Sequence, residues 1–247
     1  MPNRKSFPFV MRGLTLAAAF VAAAGLANCA TFASSSRDGT MDGTLSSLPA
    51  SRGISIERRD RATVSEILTL GSTNTYISRV LADRDSTIER WPQHIDEPLR
   101  VWIDSTSELS GDQAAFPSAV RSAFAEWSAT GIPLRFTYVG SPDDADIRVR
   151  WTEHLDHKTG STTWRTDRHG NLLSGDILLA THISDGHPLD ARGMRAIALH
   201  EVGHSLGLSH SANPNDIMAS LVRVDSISPT DGNTIRLIYV LPAGRAP

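Results

Sequence analysis

Hydrophobic and polar positions alternate in recognisable patterns over the second half of this 247-residue chain. Residues 99–103 (LRVWI) have the two-residue period of a strand, and Pro117–Ala129 has apolar residues at helical spacing, with proline in its first turn. The same patterns predict strands at 134–139, 147–151 and 176–183, and helices at 191–206 and 229–239. The polar, glycine-containing segment 154–174 predicts no regular element. Strands mixed with helices predict an α+β fold built on a mixed sheet.

The start of the third predicted helix carries a capping signature. Ser228 precedes Pro229, and Asp231 follows three residues after the serine, where a capping box normally has glutamate. We therefore expect the C-terminal helix to begin at Pro229.

Patterning is weak between residues 31 and 88. Glycine, serine and proline are frequent up to Gly53, and only Val64–Leu70 and Tyr76–Leu81 are short apolar stretches. We interpret residues 31–88 as a linker or a pro-segment, a choice that the sequence leaves open.

The first thirty residues have the organisation of an export peptide. Arg4, Lys5 and Arg12 form a basic region before the apolar run Leu14–Leu26. Thirteen apolar residues are too few to span a bilayer core of roughly 30 Å as a helix, so residues 1–30 are predicted to be a signal peptide.

Two routes of cleavage fit this peptide. Small residues around Ala27, Ala30 and Ala33 suit an ordinary signal peptidase. The segment Leu26–Cys29 instead resembles a bacterial lipobox, although Asn28 replaces its usual small residue. We therefore expect an exported bacterial protein that is either secreted or tethered to the cell envelope by a lipid at Cys29.

Composition narrows the choice of function. The net charge of −3 argues against a nucleic-acid partner, because such proteins depend on phosphate neutralisation. Cys29 is the single cysteine, which excludes internal disulfides and cysteine-based structural zinc sites.

The candidate chemistry is concentrated in residues 200–210, which read HEVGHSLGLSH. On a helix, His200 and His204 are one turn apart and project from the same face, so both imidazoles can bind one ion. Gly207 is suited to end the helix, and the reversal returns His210 as a third ligand. Three histidines leave the fourth position of a tetrahedral zinc open for water, and Glu201 is placed to take that water's proton.

The motif H-E-x-x-H-x-x-G-x-x-H resembles that of the metzincin metalloproteases. The segment Asn213–Met218 is similar to the Met-turn of that family, which implies that Met218 lies beneath the zinc site. Ser211 after the third histidine, and the stretches AFAEW and ADIRVRW upstream, resemble the matrixins, the group that includes the matrix metalloproteinases. The resemblance implies a catalytic domain over residues 89–247, with a twisted mixed sheet, an active-site helix, the Met-turn and a C-terminal helix.

The sequence departs from the animal matrixins where they hold a structural zinc and calcium. An H-x-D pair is present, and further histidines are nearby, but Leu178 occupies a position where the family has a histidine ligand. The residues concerned are His154, Asp156, His157, His169 and His182. We expect these to be solvated loop residues and the protein to hold one catalytic zinc.

The resemblance implies a single-domain, monomeric zinc endopeptidase that acts on proteins or peptides, with Glu201 as the base. The substrate is expected to lie extended along an edge strand near Asp176–Ile183. The alternative is a zinc-binding envelope protein without turnover, which the presence of Glu201 disfavours.

Overall fold

A computed structural model describes residues 51–92, 97–105, 109, 111–183 and 185–247. The predicted signal peptide, Cys29 and the first part of the 31–88 segment lie outside the described residues and stay predictions.

A five-stranded mixed sheet forms the centre of the described structure. Its strands are β2 (Leu99–Ile103), β3 (Phe136–Tyr138), β4 (Ile147–Thr152), β5 (Gly160–Thr166) and β6 (Leu172–Ala180). Their spatial order is β3-β2-β4-β6-β5. The first four strands in spatial order are parallel, and β5 pairs with β6 in antiparallel orientation. The predicted α+β class and mixed sheet are confirmed.

Strand β5 lies within the 154–174 segment for which we predicted no element. Its side chains alternate, with Thr162 and Trp164 partly buried and Thr163 and Arg165 exposed. The strand occupies an edge of the sheet, where one row of backbone groups and one set of side chains face solvent. Polar β-branched residues suit such a position. The strand was not predicted because its hydrophobicity is low.

Strand β6 begins earlier than predicted and lies inside the sheet between β4 and β5. Its residues Ile177 and Leu179 are buried, and its backbone pairs on both sides. The prediction that Asp176–Ile183 forms the substrate-accepting edge is therefore wrong, because the antiparallel edge is β5.

Five α-helices are described. They are α1 (Ser51–Gly71), α2 (Ile77–Asp83), α3 (Phe116–Ser128), α4 (Ala191–Ser205) and α5 (Pro229–Val240). None of these helices has an apolar run long enough to cross a membrane. Two very short strands, β1 (Thr87–Ile88) and β7 (Gly244–Arg245), pair with each other.

Helices α3 and α4 pack against each other. The apolar positions predicted for α3 are buried, and the indole nitrogen of Trp127 donates to the Leu199 carbonyl of α4 at 2.8 Å. Asp190 caps α4 by accepting from the Gly193 backbone at 2.6 Å. This packing fixes α4, which carries most of the candidate site.

Helix α5 begins where its capping signature predicts. The Ser228 hydroxyl accepts from the Asp231 backbone at 3.0 Å, and the Asp231 carboxylate accepts from the Ser228 backbone at 3.1 Å. The capping box with aspartate in place of glutamate is therefore confirmed.

The described part of the weakly patterned segment before residue 89 contributes to the core. Ile77 and Val80 of α2 and Ile88 of β1 are at most 2% exposed, and residues of α1 such as Ile67 pack against them. The weak patterning did not predict this packing. Whether residues 31–88 act as a linker or a pro-segment stays a prediction.

Candidate active site

The end of α4 positions the candidate metal ligands. Helix α4 carries His200 and His204 and ends in a Schellman turn, in which Leu208 N donates to Gly203 O and Gly207 N donates to His204 O, both at 3.0 Å. Gly207 has φ +111°, a conformation that L side chains rarely adopt. The reversal brings His210 back to the two helical histidines.

The three imidazoles converge on one point. The Nε2 atom of His204 lies 3.1 Å from Nε2 of His200 and 3.2 Å from Nε2 of His210. In a tetrahedral zinc site with Zn–N bonds of 2.0–2.1 Å, ligand nitrogens are separated by about 3.3–3.4 Å. The observed separations are close to that value.

Backbone carbonyls determine the tautomers of the two helical histidines. The Nδ1 atom of His200 lies 2.8 Å from Ile217 O, and Nδ1 of His204 lies 2.9 Å from Leu208 O. A carbonyl oxygen can only accept, so each Nδ1 carries the proton and each Nε2 presents a lone pair. Lone pairs that face one another at such short range fit a cation held between them.

The protonation state of the histidines also suits a metal. Burial lowers the pKa of His200 to about 4, and burial likewise lowers the pKa values of His204 and His210 below the usual range. The rings are therefore neutral at pH 7, as metal binding requires.

The loop beneath the histidines is fixed by two buried carboxylates. Asp216 accepts from the Ser211 and Ser228 hydroxyls at 2.5 and 2.7 Å. Asp231 accepts from Ile217 N at 2.8 Å and thereby holds the residue whose carbonyl orients His200. Met218, the predicted Met-turn residue, follows directly.

Met218 is fully buried beneath α4. Its side chain lies so close to Gly203 that a Cβ atom there would overlap with the sulfur and lie 3.0 Å from Trp127. The methionine therefore supports the helix between His200 and His204 at a position that only glycine fits.

Glu201 projects toward the edge strand and is 5% exposed. The Thr162 hydroxyl of β5 lies 2.6 Å from Glu201 Oε2. Burial raises the pKa of Glu201 to about 7, although the hydrogen bond from Thr162 and the charge of Lys158 oppose this shift. A carboxyl group with a pKa near neutrality can take up and release a proton at physiological pH.

Two neighbours of the site, Thr162 and Arg84, were not among the residues predicted from the sequence. The buried Arg84 guanidinium pairs with Glu89 and donates to Leu208 O at 3.1 Å, the same carbonyl that accepts from His204. Glu89 also accepts from the Trp164 indole at 2.9 Å. The period-two pattern of β5 places Thr162 on the buried face of the strand, but nothing in the local sequence marks the contact of Thr162 with Glu201 or that of Arg84 with Leu208.

A second, more exposed group contains two of the loop histidines. Ligand atoms of Glu153, His154 and His182 lie within 4.8 Å of one another, and the Glu153 and His154 side chains are 75% and 49% exposed. Asp156, which we had paired with His154, is not part of this group. Glu153 and His154 are open to solvent, and no second metal is assigned to them.

Comparison with known proteins agrees with the resemblance seen in the histidine motif. The matrixin family model matches residues 91–240. The chain is 30% identical over 153 residues to a probable matrix metalloproteinase, 095L, of Invertebrate iridescent virus 3, covering 56% of this chain and 39% of the viral protein. It is 28% identical over 165 residues to matrix metalloproteinase-C of Caenorhabditis elegans, covering 57% and 27%.

A bacterial relative is also similar. Karilysin of Tannerella forsythia is 30% identical over 127 residues, which cover 46% of this chain and 25% of karilysin. The aligned stretches thus span well under half the length of these relatives.

Proposed function

Because the chain belongs to the matrixin family of zinc metalloproteases, we propose that it is a zinc-dependent endopeptidase whose base is Glu201. The observation that carries this proposal is the convergence of three neutral imidazoles beside a buried carboxyl group with a pKa near 7. The convergence fits a metal, and the adjacent carboxyl group adds the proton acceptor that hydrolysis needs.

Each residue of the site has a distinct task in this proposal. His200, His204 and His210 would hold Zn²⁺ through their Nε2 atoms. When bound, zinc acts as a Lewis acid and lowers the pKa of its water to about 7. Glu201 takes a proton from the attacking water and passes it to the leaving nitrogen as the peptide C–N bond breaks, which yields a carboxylate and an amine.

The substrate is proposed to be an unfolded or extended polypeptide that pairs with the free edge of β5. An edge strand offers unpaired backbone donors and acceptors, and a peptide bound there would pass close to Glu201, since β5 contacts α4.

Metal dependence tests the proposal. The full chain should hydrolyse casein, lose activity on chelation and regain it when zinc is restored. His204→Ala should lose both zinc and activity, whereas His169→Ala, which changes an exposed histidine outside the triad, should lose neither. Activity that survives complete removal of zinc, or an absence of hydrolysis by the zinc-loaded protein across many unfolded substrates, would contradict the proposal.

We further propose that the protein is exported, on the evidence of the apolar run before Cys29. If Cys29 carries a lipid, the mature protein will partition into detergent, and Cys29→Ser will release it from the cell envelope. An unmodified N-terminus after Ala27, Ala30 or Ala33 would instead establish secretion, and a cytosolic protein that retains residues 1–30 would contradict export.

A further inference from the structure

The orientation of the Glu201 carboxylate is determined by the edge strand. Among the described residues, Thr162 is the side chain that donates to this carboxylate, with its hydroxyl 2.6 Å from Oε2 and 3.0 Å from the Glu201 carbonyl oxygen. The residue is partly buried, and the carboxylate it contacts is almost completely buried. The shorter contact is to the charged group, where a hydrogen bond is strongest.

Gly160 supplies the space that this arrangement needs. It is the first residue of β5, two positions before Thr162, so both residues face the same side of the strand. A Cβ atom at position 160 would lie 2.6 Å from Glu201 Cγ and 2.7 Å from Cδ. The stem of Glu201 therefore lies against the bare backbone of the strand.

The two contacts act together on one side chain, because the atom nearest a Cβ at position 160 would be Oε1 of the Glu201 carboxylate, ahead of the stem atoms. Gly160 allows the stem to approach β5, and the Thr162 hydroxyl then holds Oε2. Among the described residues, Thr162 donates to Oε2, whereas Oε1 lies against the bare backbone of Gly160 and is the oxygen left to exchange a proton. A free glutamate side chain samples several rotamers, so a fixed one shortens the search for the reactive geometry.

We propose that Thr162 is a positioning residue for Glu201. Gly160 is required for this role, because a side chain at position 160 would displace Glu201 from the Thr162 hydroxyl. The proposal rests on the function given above, in which Glu201 is the base. Because Thr162 also lies on the strand that would pair with substrate, it links the substrate-binding edge directly to the proton acceptor. Its backbone can bind the peptide while its hydroxyl holds the base.

Four substitutions in the zinc-loaded full chain test the proposal. Thr162→Val removes the hydroxyl at nearly constant volume, Thr162→Ser keeps it, and Gly160→Ala displaces the glutamate stem. Thr163→Val is the matched control, because Thr163 is the same residue type in the same strand but faces solvent.

The kinetic expectation separates positioning from a structural role. Thr162→Val should lower kcat about 10- to 100-fold, the effect expected for one hydrogen bond to a charged group, with little change in KM or zinc content. Thr162→Ser should restore most of the activity, Gly160→Ala should resemble Thr162→Val, and Thr163→Val should resemble the wild type. Equal kcat values for Thr162→Val and Thr163→Val, or a serine variant as slow as the valine variant, would overturn the proposal.

A binding measurement tests the same contact without turnover. A peptide hydroxamate binds zinc and can also donate a hydrogen bond to the carboxylate, whereas a peptide thiol uses the metal alone. Thr162→Val should weaken the hydroxamate about 10-fold and leave the thiol unchanged, by calorimetry. If Thr162→Val weakens hydroxamate binding in this way but the wild type cleaves no substrate, the proposed function fails and the positioning of Glu201 by Thr162 stands. If both ligands respond alike, the positioning proposal fails.

Discussion

Gly207 is the point at which α4 ends and the chain turns back toward the metal ligands, and Gly207→Ala perturbs that turn directly. Its φ of +111° is strained for alanine, which costs about 1–3 kcal/mol. A Cβ atom would also lie closer than 3.0 Å to the Glu89 carbonyl oxygen, which is backbone and cannot rotate away. Forced displacement of packed backbone costs about 1–3 kcal/mol more, so the expected loss of unfolding free energy is roughly 2–6 kcal/mol.

Two other glycines allow the strain and the overlap to be separated. Gly131 has φ +89° with nothing within 4 Å of its would-be Cβ atom, so Gly131→Ala should show the backbone strain alone. Gly140 has neither a positive φ nor a close neighbour, and Gly140→Ala should change stability by less than about 1 kcal/mol. The excess loss in Gly207→Ala over Gly131→Ala measures the contact with Glu89.

Urea unfolding of the zinc-free full chain gives the stabilities, and chelator competition gives the zinc dissociation constant. Because Gly207 lies between His204 and His210, its displacement should weaken zinc binding about 10- to 100-fold, the range for altered ligand support. A Gly207→Ala variant that matches Gly131→Ala in stability and binds zinc as tightly as the wild type would show that the contact with Glu89 does not constrain this turn.

The remaining predictions concern the ligand loop, the metal and pH. Arg84→Met should cost about 3–5 kcal/mol in urea unfolding and speed zinc release, because it leaves Glu89 without its cationic partner and removes one of the two donors to the Leu208 carbonyl. Arg79→Met removes an exposed ion pair and should cost less than about 1 kcal/mol. Elemental analysis should find one zinc per chain, and a consistent value of two would show that the exposed loop histidines form a second site. In the zinc-free protein, the pKa of Glu201 is raised from 4.5 to about 7, so this carboxyl group destabilises the fold progressively as pH rises through that interval. Glu201→Gln should therefore be more stable than the wild type by about 3 kcal/mol at pH 8 and by little at pH 4.5, and equal stabilities at pH 8 would contradict the raised pKa.

The metal ligands were predictable because the geometry that joins them is local. His200 and His204 are one helical turn apart, and Gly207 allows the reversal that returns His210. The eleven consecutive residues 200–210 therefore contain the three ligands together with the helical spacing and the glycine turn that bring them to one point. The structure adds the hydrogen bonds of the two Nδ1 atoms, which depend on how the following loop folds.

The supporting contacts were not predictable for the opposite reason. Thr162 lies 39 positions from Glu201, and Arg84 lies 124 positions from Leu208. Such contacts exist only after the sheet and helices have packed. The hydroxyl and the guanidinium have no local partner pattern that would distinguish them from ordinary surface residues.

Strand prediction was accurate for β2 and failed for the polar edge strand β5. β2 was predicted with its observed ends because LRVWI alternates in hydrophobicity, and its alternate residues are buried. β5 alternates as well, but between partly buried and exposed residues that are mostly polar. A search based on hydrophobicity finds the first pattern and overlooks the second, and this led us to place the substrate edge one strand too far inward.

Proton transfer by Glu201 is tested by the hydrolysis of casein by wild type and Glu201→Gln at matched zinc content. Glutamine keeps the shape of the side chain and can still accept from Thr162, but it cannot take a proton from water. If Glu201 is the base, the variant should have equal zinc content, retain its fold and hydrolyse casein about 10²- to 10⁴-fold more slowly. Equal rates of hydrolysis by the two proteins would contradict proton transfer by Glu201.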